Sequence, residues 1–204
     1  MLQEKKTDFS MPSDHVFHRA MKRISAALLM VVWLCGCAGP AVYDHAAPVV
    51  EAEAAKPGVV LDAEAEREAI GRFGAFFADV SVESIRSQID AFYAPDVYFN
   101  DTLKTLRGRE AVKAYFIRMP QHADFVRAKV IDHSRSGANY YVRWIMDVRY
   151  KGAKETVSTM GMTLLRFDKQ GRVVLHQDFW DSSAGFYEHL PVLGGVIRWI
   201  KSKI

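Results

Sequence analysis

Residues 93–112 read YAPDVYFNDTLKTLRGREAV, and this stretch divides a helical half of the chain from a stranded half. Ala94-Pro95-Asp96 stops a preceding helix, because proline disfavours helical geometry in the residue before it. Val97 to Asn100 is a short β-rich run. Gly108-Arg109-Glu110 leads into a new helix with Val112, Tyr115, Phe116 and Met119 on one side, ended by Pro120. Upstream, Glu64 to Asp79 sets Ala65, Ile70, Phe73, Phe76 and Phe77 near one face at 3.6-residue spacing, and Val82 to Phe92 repeats the pattern with Ile85, Ile89 and Phe92. Downstream the period changes to two. Phe125 to Ser134, Tyr140 to Lys151, Thr156 to Asp168 and Arg172 to Asp181 are β-rich runs whose turns are marked by Gly137, Gly152 and Gly171. Helices first and a meander of strands afterwards predict an α+β fold, with N-terminal helices packed on a strongly curved, mainly antiparallel sheet. Pro191 to Ile204 closes the chain as an amphipathic helix carrying Leu193, Val196, Ile197, Trp199 and Ile200, with Arg198, Lys201 and Lys203 outside. Its apolar side is expected to pack across the fold, or else to lie on lipid headgroups.

The 204 residues suffice for one sizeable core. Of the 27 basic and 24 acidic residues, 22 and 21 lie beyond position 37, a near-neutral body with no Lys/Arg cluster. Nucleic acid is therefore not an expected partner. Both cysteines, Cys35 and Cys37, sit near the front, so the remainder has neither an internal disulfide nor a thiolate metal site.

That front end has its own logic. Met21-Lys22-Arg23 is a short cationic start, Ile24 to Leu34 is an apolar run of secretory length, and Leu34-Cys35-Gly36-Cys37 follows at once. The order resembles a bacterial lipoprotein signal, which implies a signal peptide over 21–36 and acyl chains on Cys37. The other reading is a buried helix with two ordinary thiols. Two or three acyl chains would hold the protein at a bilayer. Ala38, rather than Asp, follows the cysteine, so the resemblance points to the outer membrane, facing the periplasm. Residues 1–20 fit no part of a signal and are set aside as a gene-model extension. Residues 37–62, rich in Ala, Pro and Val without clear periodicity, read as a flexible tether. The domain then spans 63–204.

Helix, helix, the segment Tyr93 to Asp101, the Leu106-Arg107-Gly108-Arg109-Glu110 helix start and four strands together resemble the nuclear transport factor 2-like superfamily, most of all its SnoaL-like and ketosteroid-isomerase-like branch. Leu165-Arg166-Phe167-Asp168-Lys169-Gln170-Gly171-Arg172 before the last strand adds to the likeness. The resemblance implies a cone-shaped fold enclosing one apolar pocket, a small hydrophobic ligand, and no cofactor. It leaves open a homodimer through the sheet. In the steroid isomerases an Asp at the place of Asp101 is the proton-transferring base, but the two oxyanion donors of that group align here with Phe73 and Thr163. The polyketide cyclases of the SnoaL group use an acid at the place of Asp178.

Alternation in His176-Gln177-Asp178-Phe179-Trp180 sends His176, Asp178 and Trp180 to one face, which the resemblance makes the pocket face. The expected catalytic set is Asp101, His176 and Asp178, with Asp101 on the opposite wall. By the same resemblance Trp144, Met146, Thr163 and Trp180 are expected to line the pocket. A carboxylate in an apolar cavity resists ionisation and so exchanges protons near neutrality. The competing reading is structural: His176 and Asp178 satisfy each other at the rim of the sheet, and Asp101 caps the turn at Thr102. Asp181 reads as a helix start, and His122, His133 and His189 stand alone, so no metal is expected.

Overall fold

The computed structural model describes residues 46–204. Their elements in order are α1 (Ala47–Ala55), α2 (Ala63–Ala78), α3 (Val82–Phe92), β1 (Tyr93–Asn100), β2 (Thr105–Arg107), α4 (Arg109–Arg118), β3 (Ala123–Ser136), β4 (Asn139–Tyr150), β5 (Val157–Phe167), β6 (Val173–Trp180), α5 (Ser182–Gly185) and α6 (Leu193–Lys201). The sheet runs β2-β1-β6-β5-β4-β3. Every pairing is antiparallel except β1 with β6. This is the expected α+β architecture, helices on a curled sheet. The expected extension over 1–20, the signal over 21–36 and Cys37 lie outside the described residues.

Local chemistry explains the helix starts. The Asp62 carboxylate accepts from the N–H groups of Glu64 and Ala65, and Ser81 accepts from Ser84, so each satisfies donors that the first turn leaves free. The α3 helix passes into β1 without a loop. Pro95 has no N–H to give a ladder, and the pairing of β1 with β6 skips from Tyr93 opposite Val173 to Tyr98 opposite Leu175. Across the helix layer, Phe76 stacks on Phe92 at 4.8 Å and meets Phe116 edge-on at 5.6 Å, forming the packed end of the cone.

Residues 47–62 correct the expected tether. Pro48 in the first turn and an alanine-rich body let α1 form, and Ala52 is 1% exposed. Arg166 clamps its end, donating from Nη1 to the carbonyls of Glu53 (2.6 Å) and Lys56 (3.0 Å) and from Nη2 to the Glu53 carboxylate (3.3 Å). The chain then runs alongside the sheet, with Val59 N–H on the Phe167 carbonyl and Leu61 N–H on the Tyr140 hydroxyl. A distant guanidinium orders this segment in place of an apolar stripe, so periodicity does not announce it. Arg166→Met is expected to cost about 1.5–3 kcal/mol in all, since the freed acceptors of half-buried Glu53 and Lys56 can turn to water, and to speed hydrogen exchange across Ala47–Ala55 selectively. Unchanged exchange there would contradict the clamp.

The last helix is a second correction. In α6 the apolar side faces solvent, with Trp199 63% exposed and Leu193, Val196 and Ile200 also outside, while Arg198 and Lys201 turn toward Glu188. It does not pack across the cone. No helix among the described residues is long and apolar enough to cross a membrane.

Candidate active site

The concave side of the sheet and α2, α4 and the 185–190 segment enclose a cavity of about 770 Å³. Its wall is mostly apolar, with Phe73, Phe77, Phe99 and Met146 among the lining residues. His176, Asp178 and Trp180 from β6, and Trp144, Met146 and Val148 from β4, all reach this space, as does Thr163 from β5. Two glycines make room for the indoles. A Cβ on Gly161, which pairs with Trp144, would sit 2.3 Å from that ring, and one on Gly185 would sit 2.2 Å from Trp180.

A chain of hydrogen bonds crosses the floor of the cavity. Trp144 Nε1–H donates to Thr163 Oγ1 at 2.8 Å, and the Thr163 hydroxyl donates to Asp178 Oδ1 at 2.5 Å. His176 Nε2 meets the same Oδ1 at 2.9 Å, and the Tyr93 hydroxyl lies 3.0 Å from His176 Nδ1. His176 is 1% exposed and Thr163 fully buried. Burial, with the charges of Asp178 and Asp101 adding to it, pushes the Tyr93 phenol well above its ordinary value, so it keeps its proton. With Asp178 ionised, one tautomer satisfies every partner: Nε2–H donates to Asp178 while Nδ1 accepts from Tyr93. Thr163 and His176 both meet Oδ1, and among the described residues no donor reaches Oδ2.

Asp101 is placed differently from the expectation. It follows β1, whose Asn100 pairs with Gln177, so it stands beside Asp178 on the neighbouring strand and not on the opposite wall. The parallel pairing of β1 with β6 brings the two acids together. Asp101 is 7% exposed. Its Oδ1 accepts from Leu103 N–H (3.0 Å) and Lys104 N–H (2.8 Å), and its Oδ2 from the Tyr115 hydroxyl (2.5 Å). It therefore does cap its turn, while Asn100 accepts from Thr102 N–H, whose residue has a positive φ. Turn-capping and cavity placement coincide in one carboxyl. Burial raises its pKa, helped by the charge of Asp178 and opposed by the Tyr115, Lys104 and Leu103 donors.

That shift has a sign. A folded-state value above 3.8 means the folded chain holds this proton more tightly than the unfolded chain. The contribution of Asp101 to stability is thus greatest below pH 3.8 and falls as pH rises toward the folded value. Asp101→Asn, which keeps an acceptor for the turn, is expected to gain stability relative to the parent as pH rises through that interval. Parallel urea titrations at acid and neutral pH check this, and a gap independent of pH contradicts it.

Tyr93 and Tyr115 escape sequence reasoning as site residues. Tyr115 carried a signal, since a tyrosine on a core-facing helix stripe needs a partner for its hydroxyl. Tyr93 carried none, because its bond spans 83 positions. Thr163 is a donor to Asp178, beyond the lining role expected of it. Asp181 caps α5 through Ala184 N–H. His133 pairs with Glu66 at 3.1 Å, away from the cavity, while His122 and His189 line it.

Comparison with solved structures shows the same fold at low identity. A Catenulispora acidiphila protein with a ketosteroid isomerase-like fold, solved with trimethylamine, is 19% identical at a TM-score of 0.51, covering 58% of this chain and 88% of its own. TsrD from Streptomyces laurentii is 18% identical at 0.53, covering 66% and 100%. An M. tuberculosis epoxide hydrolase of the LEH-like type is 19% identical at 0.50, covering 67% and 97%. No curated protein matches the sequence. The SnoaL-like domain family matches residues 73–176, from the first cavity phenylalanine on α2 to the buried histidine of β6, and the chain belongs to that family.

Proposed function

We propose that this chain is an envelope-anchored SnoaL-like pocket protein that rearranges a small hydrophobic molecule by cofactor-free acid/base chemistry: isomerisation, cyclisation or hydration. One observation carries the reading: two neighbouring carboxyls in an apolar cavity, held in unlike environments. Asp178 takes two donors on Oδ1, and Oδ2 is the oxygen left to accept a proton from substrate. Asp101, whose carboxyl burial pushes above its ordinary value, is the group assigned to supply a proton to a developing oxyanion. Unlike environments for paired acids are a recurring basis for acid and base roles. His176 orients Asp178, and Tyr93 holds the imidazole tautomer. Acylation of Cys37 would anchor the body at the outer membrane, facing the periplasm.

Native mass spectrometry of protein extracted from its own envelope identifies a co-purifying ligand. Turnover of that molecule by the parent and by Asp178→Asn then tests the chemistry, and equal turnover eliminates it. A free thiol at Cys37, seen by intact mass, removes the anchor.

A second reading has its own support. On the outer sheet face Met162 pairs with Phe179, Ile145 pairs with Met160, and all four are exposed. This contiguous apolar patch favours a homodimer through the sheet, with the cavity binding and not converting its guest.

A further inference from the structure

The segment 191–204 carries Arg198, Lys201 and Lys203 and no acidic residue. Within it, α6 turns Gly194, half-buried Ile197 and the cations Arg198 and Lys201 toward the protein. Gly194 approaches the Glu188 carbonyl so closely that a Cβ would lie 2.0 Å from its oxygen. Arg198 donates to that same carbonyl, and Lys201 donates to the Glu188 carboxylate at 2.6 Å with Asp181 3.9 Å away. The opposite side, Leu193, Val196, Trp199 and Ile200 with Val192 and Ile204 at its ends, has water as its neighbour. A helix held by its charges, apolar side outward, is oriented to meet something apolar.

Size selects the occupant. Nine residues at 1.5 Å each give a strip about 14 Å long and roughly 10 Å wide. That is far short of the about 800 Å² per partner of a stable protein interface. A bilayer sets no such minimum. Its headgroup zone accepts an indole such as Trp199, and the stem of Lys203 can run along the strip with its charge in water. Arg198 and Lys201 are taken up by Glu188 and Asp181, whereas Lys203, which no acid pairs among the described residues, adds the attraction of a free cation to anionic headgroups. Tyr187, His189 and Leu190, immediately before α6, line the cavity, and His189 stacks on Tyr150 at 5.5 Å.

We propose that α6 docks flat on an anionic lipid surface and that the cavity fills from that surface with a lipid-partitioning molecule. The docking stands on α6 alone, while the filling rests on the pocket function proposed above.

The test is hydrogen exchange of the 193–201 amides in the full chain on vesicles of phosphatidylcholine with and without phosphatidylglycerol. The readout is local, so attachment through the N-terminal apolar run does not produce it. On anionic vesicles, exchange in α6 is expected to slow by about tenfold or more, as for any ligand in excess over its dissociation constant. Trp199→Glu removes the slowing without shifting the unfolding midpoint, and brominated acyl chains quench a component of tryptophan emission that Trp199→Phe lacks. Equal exchange with and without anionic vesicles overturns the proposal. So does slowing that follows protein concentration in the absence of lipid, which assigns the face to a second copy. Asp178→Asn turnover and the mass at Cys37 are read separately, so failure of either leaves the α6 result interpretable.

Discussion

Asp178→Asn is expected to lower turnover of the cavity's substrate by about 10²–10⁴-fold, the range over which a positioned acid or base contributes. The substitution is nearly isosteric. A carboxamide oxygen can still accept from Thr163 and from His176 Nε2–H, so the hydrogen-bond chain from Trp144 to Tyr93 keeps its acceptor. What is lost is the oxygen free to take a proton, since the group that replaces it donates. The unfolding midpoint in urea is accordingly expected to move by about 1 kcal/mol or less, the scale of a single altered hydrogen bond. The two readouts divide the hypotheses. Lost turnover with intact stability supports the acid/base role, whereas lost stability with intact turnover makes Asp178 a support for His176.

The largest expected effect on stability is Phe76→Ala, at about 3–5 kcal/mol. Phe76 is 1% exposed and in contact with four aromatic rings: stacked on Phe92, and edge-on to Phe77, Tyr93 and Phe116. These neighbours belong to α2, α3, β1 and α4, so a cavity here unseats four elements together and cannot close by shifting one. Native domains hold only about 5–15 kcal/mol, so the loss is a large fraction of the total. The effect should also reach the cavity, because the Tyr93 hydroxyl meets His176 Nδ1 at 3.0 Å. Denaturant unfolding followed by tryptophan emission measures it. A loss below about 1 kcal/mol would mean that the aromatic layer collapses onto the gap, contrary to the packing described.

Much of the fold was legible. The change from a 3.6 period to a period of two located α2, α3, α4 and the four long strands, because each of these elements buries one face and leaves the other wet. The same alternation set the phase of β6, so His176, Asp178 and Trp180 were assigned together and arrive together in the cavity. Elements without a one-sided apolar pattern escape such a reading. Ala-rich α1 is ordered by the guanidinium of Arg166, and three-residue β2 is too short to show a period. The amphipathic pattern of α6 was real, but a pattern names two faces without saying which meets the protein.

From its residues alone, the chain determined the kind and order of its principal elements and which side chains of each strand share a face, because those follow from local geometry and burial of one side. Only the tertiary structure decided that β1 lies parallel to β6, that Asp101 therefore stands beside Asp178, and that Tyr93 reaches His176. It also turned the apolar side of α6 outward. These are choices among non-local partners, each settled by closing the whole sheet and helix layer around one cavity, and no window of sequence contains both members of such a pair.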